Sequence, residues 1–144
     1  MTDRKLALAV WESLFRAQHE IFTAMANDFD DTPITQAEYD VLLTVTRSPE
    51  QTARLRDITS KMLISQPSVS RLVDRMVANG LLTKHPDPED GRGALVTATD
   101  AGARAFRTVA SVHGRSIAEH MSRLTEAEQR TLYELTEKLR PTRA

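Results

Sequence analysis

The chain has 144 residues, 40% of them hydrophobic and 27% charged, and contains no cysteine. That size suits one domain, or one core with helical extensions, of an ordinary soluble kind. The lack of cysteine excludes disulfides, thiolate nucleophiles, Cys-ligated zinc and a thiol redox switch. The formal net charge of −1 gives little unselective attraction to a polyanion, and no apolar run approaches the ~18 residues that a membrane span needs.

The N-terminal MTDRKLALAV mixes acid and base in an amphipathic pattern and has no apolar stretch with a cleavage site, which predicts a cytoplasmic protein. A first helix is predicted over roughly 4–27. Leu6, Val10, Leu14, Ile21 and Met25 form one stripe, and Trp11, Phe15 and Phe22 a second beside it. Two stripes predict burial on more than one side, in a chain this small against a second copy of itself. The loop DFDDTP ends that helix. Thr35-Gln36-Ala37-Glu38 is a capping box and opens a second helix with Tyr39, Leu42, Leu43 and Val45 inward. Ser48-Pro49-Glu50 breaks the chain, and Thr52 is predicted to cap a short helix with Leu55, Ile58 and Met62 inward.

The run SQPSVSRLVDRMVANG, residues 65–80, carries the most information. It predicts one helix whose buried stripe is Val69, Leu72, Val73, Met76 and Val77. Ser65 or Gln66 is read as its cap, Pro67 as part of its first turn, and Asn79-Gly80 as its left-handed ending. The opposite face presents Pro67, Ser68, Arg71, Asp74 and Arg75, with Ser70 nearby. A helix exposing small hydroxyls and arginines suits entry into a DNA groove, because hydroxyls hold phosphate and arginine holds phosphate or guanine. Together with the preceding short helix it makes a helix-turn-helix.

Leu81 to His85 has strand character, PDPEDGRG (86–93) is rich in turn residues, and Ala94 to Thr99 returns as a second strand. Helix, strand, charged loop, strand is the outline of a winged helix. The loop carries Arg92 as a minor-groove candidate, with Asp90 placed to orient its guanidinium by a bidentate pair. Thr99 and Asp100 open a long helix with Phe106, Ala110, His113, Ile117 and Met121 on one face. Thr125-Glu126-Ala127-Glu128 is a second capping box, and the last helix is predicted to bury Leu132, Leu135 and Leu139 before stopping at Pro141.

The charge is unevenly spread. Residues 1–53 hold 4 basic and 9 acidic groups, residues 54–97 hold 7 and 5. Three of those five acids, Asp87, Glu89 and Asp90, lie in the one loop, so the rest of the middle segment is basic enough to meet phosphate. The predicted architecture is mainly α with a small β-hairpin. A winged helix-turn-helix (35–99) is flanked by an N-terminal dimerisation helix and loop (1–34) and C-terminal dimerisation helices (100–144). A symmetric homodimer presenting two recognition helices places its half-sites about one DNA turn, ~10 bp, apart on a pseudo-palindrome.

The candidate DNA contacts are Gln66, Pro67, Ser68, Ser70, Arg71, Arg75, Lys84, Asp90 and Arg92. Ser68, Ser70 and Arg71 are assigned to base edges or phosphates. Arg75 meets phosphate or pairs with Asp74. Gln66 and Pro67 set the helix entry, and Gln66 also suits adenine. Lys84, Lys61 and Arg54 are backbone candidates that read equally as plain surface. Trp11, Phe15, His19, Tyr39 and His113 are the candidate lining of a small-molecule effector pocket, although aromatics at helical spacing also read as core; a charged histidine there suits an anionic ligand. His113 and His120 share a helix face, but without a tight ligand cluster no metal site and no cofactor is expected. No glycine-rich phosphate loop, Gly-x-Ser-x-Gly turn or close acid pair suggests an enzyme.

Together these segments resemble the MarR family of transcriptional regulators over nearly the whole chain. ITQAEYDVLLTV resembles the family's second helix, SQPSVSRLVDRMVANGLL its recognition helix, and DPEDGRGALVTATDAG its wing signature at Asp90, Arg92, Ala98, Thr99 and Gly102. Ala98 stands where leucine is usual, which predicts slightly looser packing at the wing base. The resemblance implies a homodimer of triangular outline held by the first and last two helices. It further implies repression by operator occupancy and, in many members, release by a small, often anionic aromatic ligand. The alternative is a winged-helix protein-interaction or small-molecule-binding module without DNA binding. The exposed Ser/Arg face and Asp90-Gly91-Arg92 favour DNA.

Overall fold

The computed structural model describes residues 3–141. The outermost residues of the predicted terminal regions, 1–2 and 142–144, lie outside the described residues. In chain order come α1 (Arg4–Ala24), α2 (Gln36–Arg47), β1 (Thr52–Arg54), α3 (Leu55–Lys61), α4 (Val69–Ala78), β2 (Leu82–Asp87), β3 (Asp90–Ala98), α5 (Asp100–Met121) and α6 (Glu126–Leu139). Short 3-10 turns occupy Ala26–Phe29 and Pro49–Gln51. The fold is the predicted winged helix-turn-helix, mainly α, with helices before and after it. The described residues fall into two compact units, 26–112, and 3–25 with 113–141.

The middle unit holds the core. Val41, Leu42 and Val45 of α2, Ile58 of α3, Val73 and Met76 of α4, Leu82 of β2, Val96 of β3 and Val109 of α5 are fully buried and form one cluster. Each such side chain contributes about 1.5–3 kcal/mol on burial. The predicted stripe of α4 is thus correct, with Val69 and Val77 half-buried at its margins. The capping box of α2 is present, Thr35 Oγ1 accepting from the Glu38 amide at 3.2 Å and Glu38 Oε1 from the Thr35 amide at 2.8 Å. One buried polar group of α2 has a structural task. Asp40 accepts the amides of Leu63 and Ile64 at 2.7 and 2.9 Å, satisfying the turn between α3 and α4.

Several elements depart from their predicted form. Thr52 does not cap α3. It begins β1, which pairs antiparallel with β3 in the register Thr52↔Thr97, Ala53↔Val96, Arg54↔Leu95. Its hydroxyl meets that of Thr97 at 2.8 Å, and α3 begins after Arg54 without a side-chain cap. The sheet therefore has three strands in the order β1-β3-β2. Helix α4 starts later than predicted. Pro67 disfavours helical geometry at Gln66, and Ser68 is the cap, its Oγ accepting from the Arg71 amide at 3.2 Å. Ser65, Gln66 and Pro67 precede the helix. Helix α1 ends at Ala24, before the 3-10 turn.

In the other unit, α1 and α6 are patterned without being buried. No residue of α1 or α6 is buried. Leu132, Leu135 and Leu139, expected inward, are 40%, 55% and 66% exposed, and Ile117 is 37% exposed. Among the described residues nothing covers these apolar side chains. The capping box of α6 forms as predicted between Thr125 and Glu128.

Candidate nucleic-acid interface

The site is built where α3, α4 and the β2–β3 wing converge. An open groove of about 980 Å³ lies there, lined by Arg56 and Thr59 of α3, Ser70 of α4, Lys84 of β2 and Arg92 of β3. Ser70, Arg71 and Arg75 are exposed on α4, as are Pro67 before it and Lys84 and Arg92 on the wing; Gln66 and Ser68 are half-buried. Ser68 uses one of its two acceptor lone pairs in the helix cap, which leaves the hydroxyl hydrogen for an outside partner.

The wing is tighter than its composition predicts. Residues 86–93 are not a loop: the strands continue to Asp87 and resume at Asp90, with Pro88 and Glu89 alone forming the turn. The register then jumps, Asp87 facing Asp90 while Pro86 faces Ala94. Gly91, Arg92 and Gly93 are the surplus residues of this bulge, which projects Arg92 from the ladder. Pro86 is tolerated because β2 is an edge strand.

Acidic residues fix this shape from beneath. Asp87 is buried; its Oδ1 accepts the Glu89 amide at 2.9 Å and its Oδ2 lies 3.2 Å from Arg54 Nε. Arg54 also meets Glu89 Oε2 at 2.7 Å. Arg54 is thus a clamp holding the wing turn to β1, neither plain surface nor a free cation for phosphate. Asp90 departs from its expected part too. Its Oδ1 accepts the Arg92 backbone amide at 3.1 Å, and its Oδ2 faces Arg56 at 3.9 Å. It orients Arg92 through the main chain and leaves the guanidinium with no hydrogen-bond or ion-pair partner among the described residues. Asp74 pairs with Lys84 at 3.0 Å, not with Arg75. Lys84 thereby ties the wing to α4.

The base of the wing is stitched to the end of α4. Gly80 takes the predicted left-handed conformation at φ +78°. The Thr99 hydroxyl donates to the Gly80 carbonyl at 2.6 Å and accepts from the Gly102 amide at 3.0 Å, while the Thr99 amide donates to the Leu81 carbonyl at 3.1 Å. A Cβ at Gly102 would stand 2.1 Å from the Leu81 carbonyl oxygen, so only glycine fits.

The five effector-pocket candidates fall in both units. Trp11, Phe15 and His19 lie along α1, where the Trp11 and Phe15 rings are 6.0 Å apart and Phe15 and His19 border a shallow groove. His113 is buried. Tyr39, in the middle unit, packs between Phe29 and Phe106 at centroid distances of 5.5 and 5.1 Å. Burial holds its phenol above the ordinary pKa, Arg47 opposing and Asp40 adding, so it is neutral at physiological pH. Among the described residues no group of three or more His, Cys, Asp or Glu is arranged to hold a metal, and no helix is long and apolar enough to cross a membrane.

Sequence reasoning missed the Arg54–Asp87–Glu89 clamp, the Asp40 turn support and Arg56. The first required the strand β1, which at three residues has no period of its own. The others required the tertiary contact itself.

Comparison with known proteins agrees with this geometry. Residues 32–93 match the MarR family model. The chain is 29% identical over 122 residues to the HTH-type transcriptional regulator YkoM of Bacillus subtilis, covering 85% of this chain and 75% of that one. It superposes on Sco3205, a MarR-family transcriptional regulator of Streptomyces coelicolor solved with DNA, at a TM-score of 0.79 and 25% identity, covering 100% of this chain and 94% of that one. Bordetella bronchiseptica BpsR, whose DNA binding is regulated by 6-hydroxynicotinic acid, shares the fold at a TM-score of 0.77 and 24% identity, covering 91% and 98%.

Proposed function

We propose that this chain is a MarR-family transcriptional regulator, a reading supported by the family match over residues 32–93 and by its DNA-bound structural relative, and that it represses transcription as a homodimer on a pseudo-palindromic operator. Residues 35–99 carry the DNA contacts, and the terminal regions 1–34 and 100–144 form the dimer. The observation that carries this reading is Arg92. It stands on a bulge held by acid–base pairs, has no counter-charge among the described residues, and shares one groove with Ser70 of the recognition helix. Arg71 and Arg75 add exposed cations to the same helix. In this reading Ser70 and Arg71 enter the major groove with Gln66, Pro67 and Ser68 at the helix entry, Arg75 and Lys84 meet phosphate, and Arg92 reaches the minor groove on Asp90's support.

The uncovered faces of α1 and α6 support the homodimer, since an apolar helix face of this kind needs a partner. A small anionic aromatic effector that releases DNA is part of the same proposal, with Trp11, Phe15, His19, Tyr39 and His113 as its candidate contacts.

The test is an anisotropy titration of the full chain against duplex DNA from the intergenic region upstream of its own gene, with random duplex as competitor at fixed salt. Specific binding with a footprint of two half-sites ~10 bp apart is expected. Arg92→Ala should weaken it by about 1–3 kcal/mol without altering the unfolding curve. Equal affinity of variant and wild type removes the wing from the mechanism.

A further inference from the structure

The middle unit contains two arginines two residues apart that face the same wing and are held in different ways. Arg54 of β1 makes contacts of 3.2 and 2.7 Å to two carboxylates, one of them buried. Arg56 of α3 is 64% exposed at its side chain, and its one charged partner among the described residues is Asp90, 3.9 Å away and itself 44% exposed. An exposed pair at that distance is weak and readily exchanged, because water screens the attraction and both side chains lose freedom in making it. A DNA phosphate can offer the same guanidinium the short, charge-assisted, bidentate contact that this 3.9 Å pair lacks.

Arg56 lines the groove with Ser70 of α4 and Arg92 of the wing, and so stands among the residues assigned to DNA. It lies outside the recognition helix and outside the wing. We propose that Arg56 is a further DNA-contact residue. It binds a backbone phosphate beside the wing, and Asp90 holds it in reserve until DNA displaces the carboxylate. The inference rests on the DNA-binding reading of this site and adds a residue and an exchange step to it.

Two consequences separate a phosphate contact from a scaffold. A phosphate contact carries no sequence information, so its loss weakens binding evenly on every duplex and lowers the slope of log K against log salt concentration by about 1. Removing Asp90's charge has the opposite sign, since it frees Arg56 and takes a negative group from beside the DNA. Asp90→Asn keeps an oxygen for the Arg92 amide, so the wing turn retains its support.

The experiment measures binding of the full chain, as wild type, Arg56→Gln, Asp90→Asn and Arg92→Ala, across a salt series. The probes are the upstream intergenic duplex and a random duplex of equal length. Arg56→Gln is expected to weaken both complexes alike and to reduce both slopes by about 1, while Asp90→Asn tightens binding. An unchanged slope for Arg56→Gln, with Arg92→Ala still impaired, overturns the role of Arg56 and leaves the DNA-binding reading standing. Equal weakening by Arg56→Gln and Asp90→Asn makes their pair a scaffold and overturns it as well. Failure of the wild type to bind either duplex overturns both readings.

Discussion

The middle unit and the terminal helices use the same kind of amphipathic pattern to different ends. In α2, Val41, Leu42 and Val45 reach full burial inside one chain. In α1 and α6, leucines at equally regular spacing stay open: Leu6 is 61% exposed and Leu139 66%. Periodicity therefore reports that a face needs cover and is silent on where the cover comes from. The wing repeats the point with charge. Its carboxylates look like repulsion for DNA when counted, yet Asp87 and Glu89 are occupied with Arg54 and serve the fold.

The contrast is broken or sharpened most strongly by deletion of core atoms. Leu42→Ala should cost about 2–5 kcal/mol in denaturant unfolding, at every protein concentration. Leu139→Ala should act only through self-association, so its effect should vary with concentration. Identical, concentration-independent losses would erase the distinction between the two regions. Next in size, Ile117→Asp places a charge in the apolar face of α5 and should shift the proposed homodimer to monomer mass in light scattering. A folded variant that keeps the dimer mass would move the interface elsewhere.

The smallest effect concerns the cap of α6. The Thr125 amide, and then its hydroxyl, hold the Glu128 carboxyl below the usual range. A depressed folded pKa means that its contribution is present above the unfolded value and lost as the pH falls through the folded one. Glu128→Gln should flatten that part of an acid titration of helicity while leaving the neutral value nearly unchanged. A wild-type-like acid profile for the variant would detach the cap from the pH response.

Much of this fold is legible from residues alone. Val69, Leu72, Val73, Met76 and Val77 declare the inner face of α4, Thr35 and Glu38 declare the start of α2, and Asn79-Gly80 declares a left-handed stop. These signals are local, carried by spacing of 3 or 4 residues or by backbone freedom at one position. What stayed hidden is held by distant partners. Thr52 looks like a cap until Thr97 is beside it, 45 residues away. Residues 86–93 look like a loop because proline, glycine and acid dominate them, whereas the ladder continues through Pro86 along a sheet edge. The site was legible as a set of exposed hydroxyls and cations. The division of labour among its arginines was not, since it depends on which carboxylate each one meets.

The contact between Gly102 and the Leu81 carbonyl behaves as a bearing with no clearance. The first turn of α5 can roll against the chain leaving α4, but the two cannot draw closer, and position 102 cannot gain an atom without prying them apart. Thr99, bonded to both sides of the joint, removes the remaining play. Any tilt of the long helix at this end would therefore press directly on the chain between the tail of α4 and the root of the wing. The missing side chain at position 102 is what lets three elements meet at one joint.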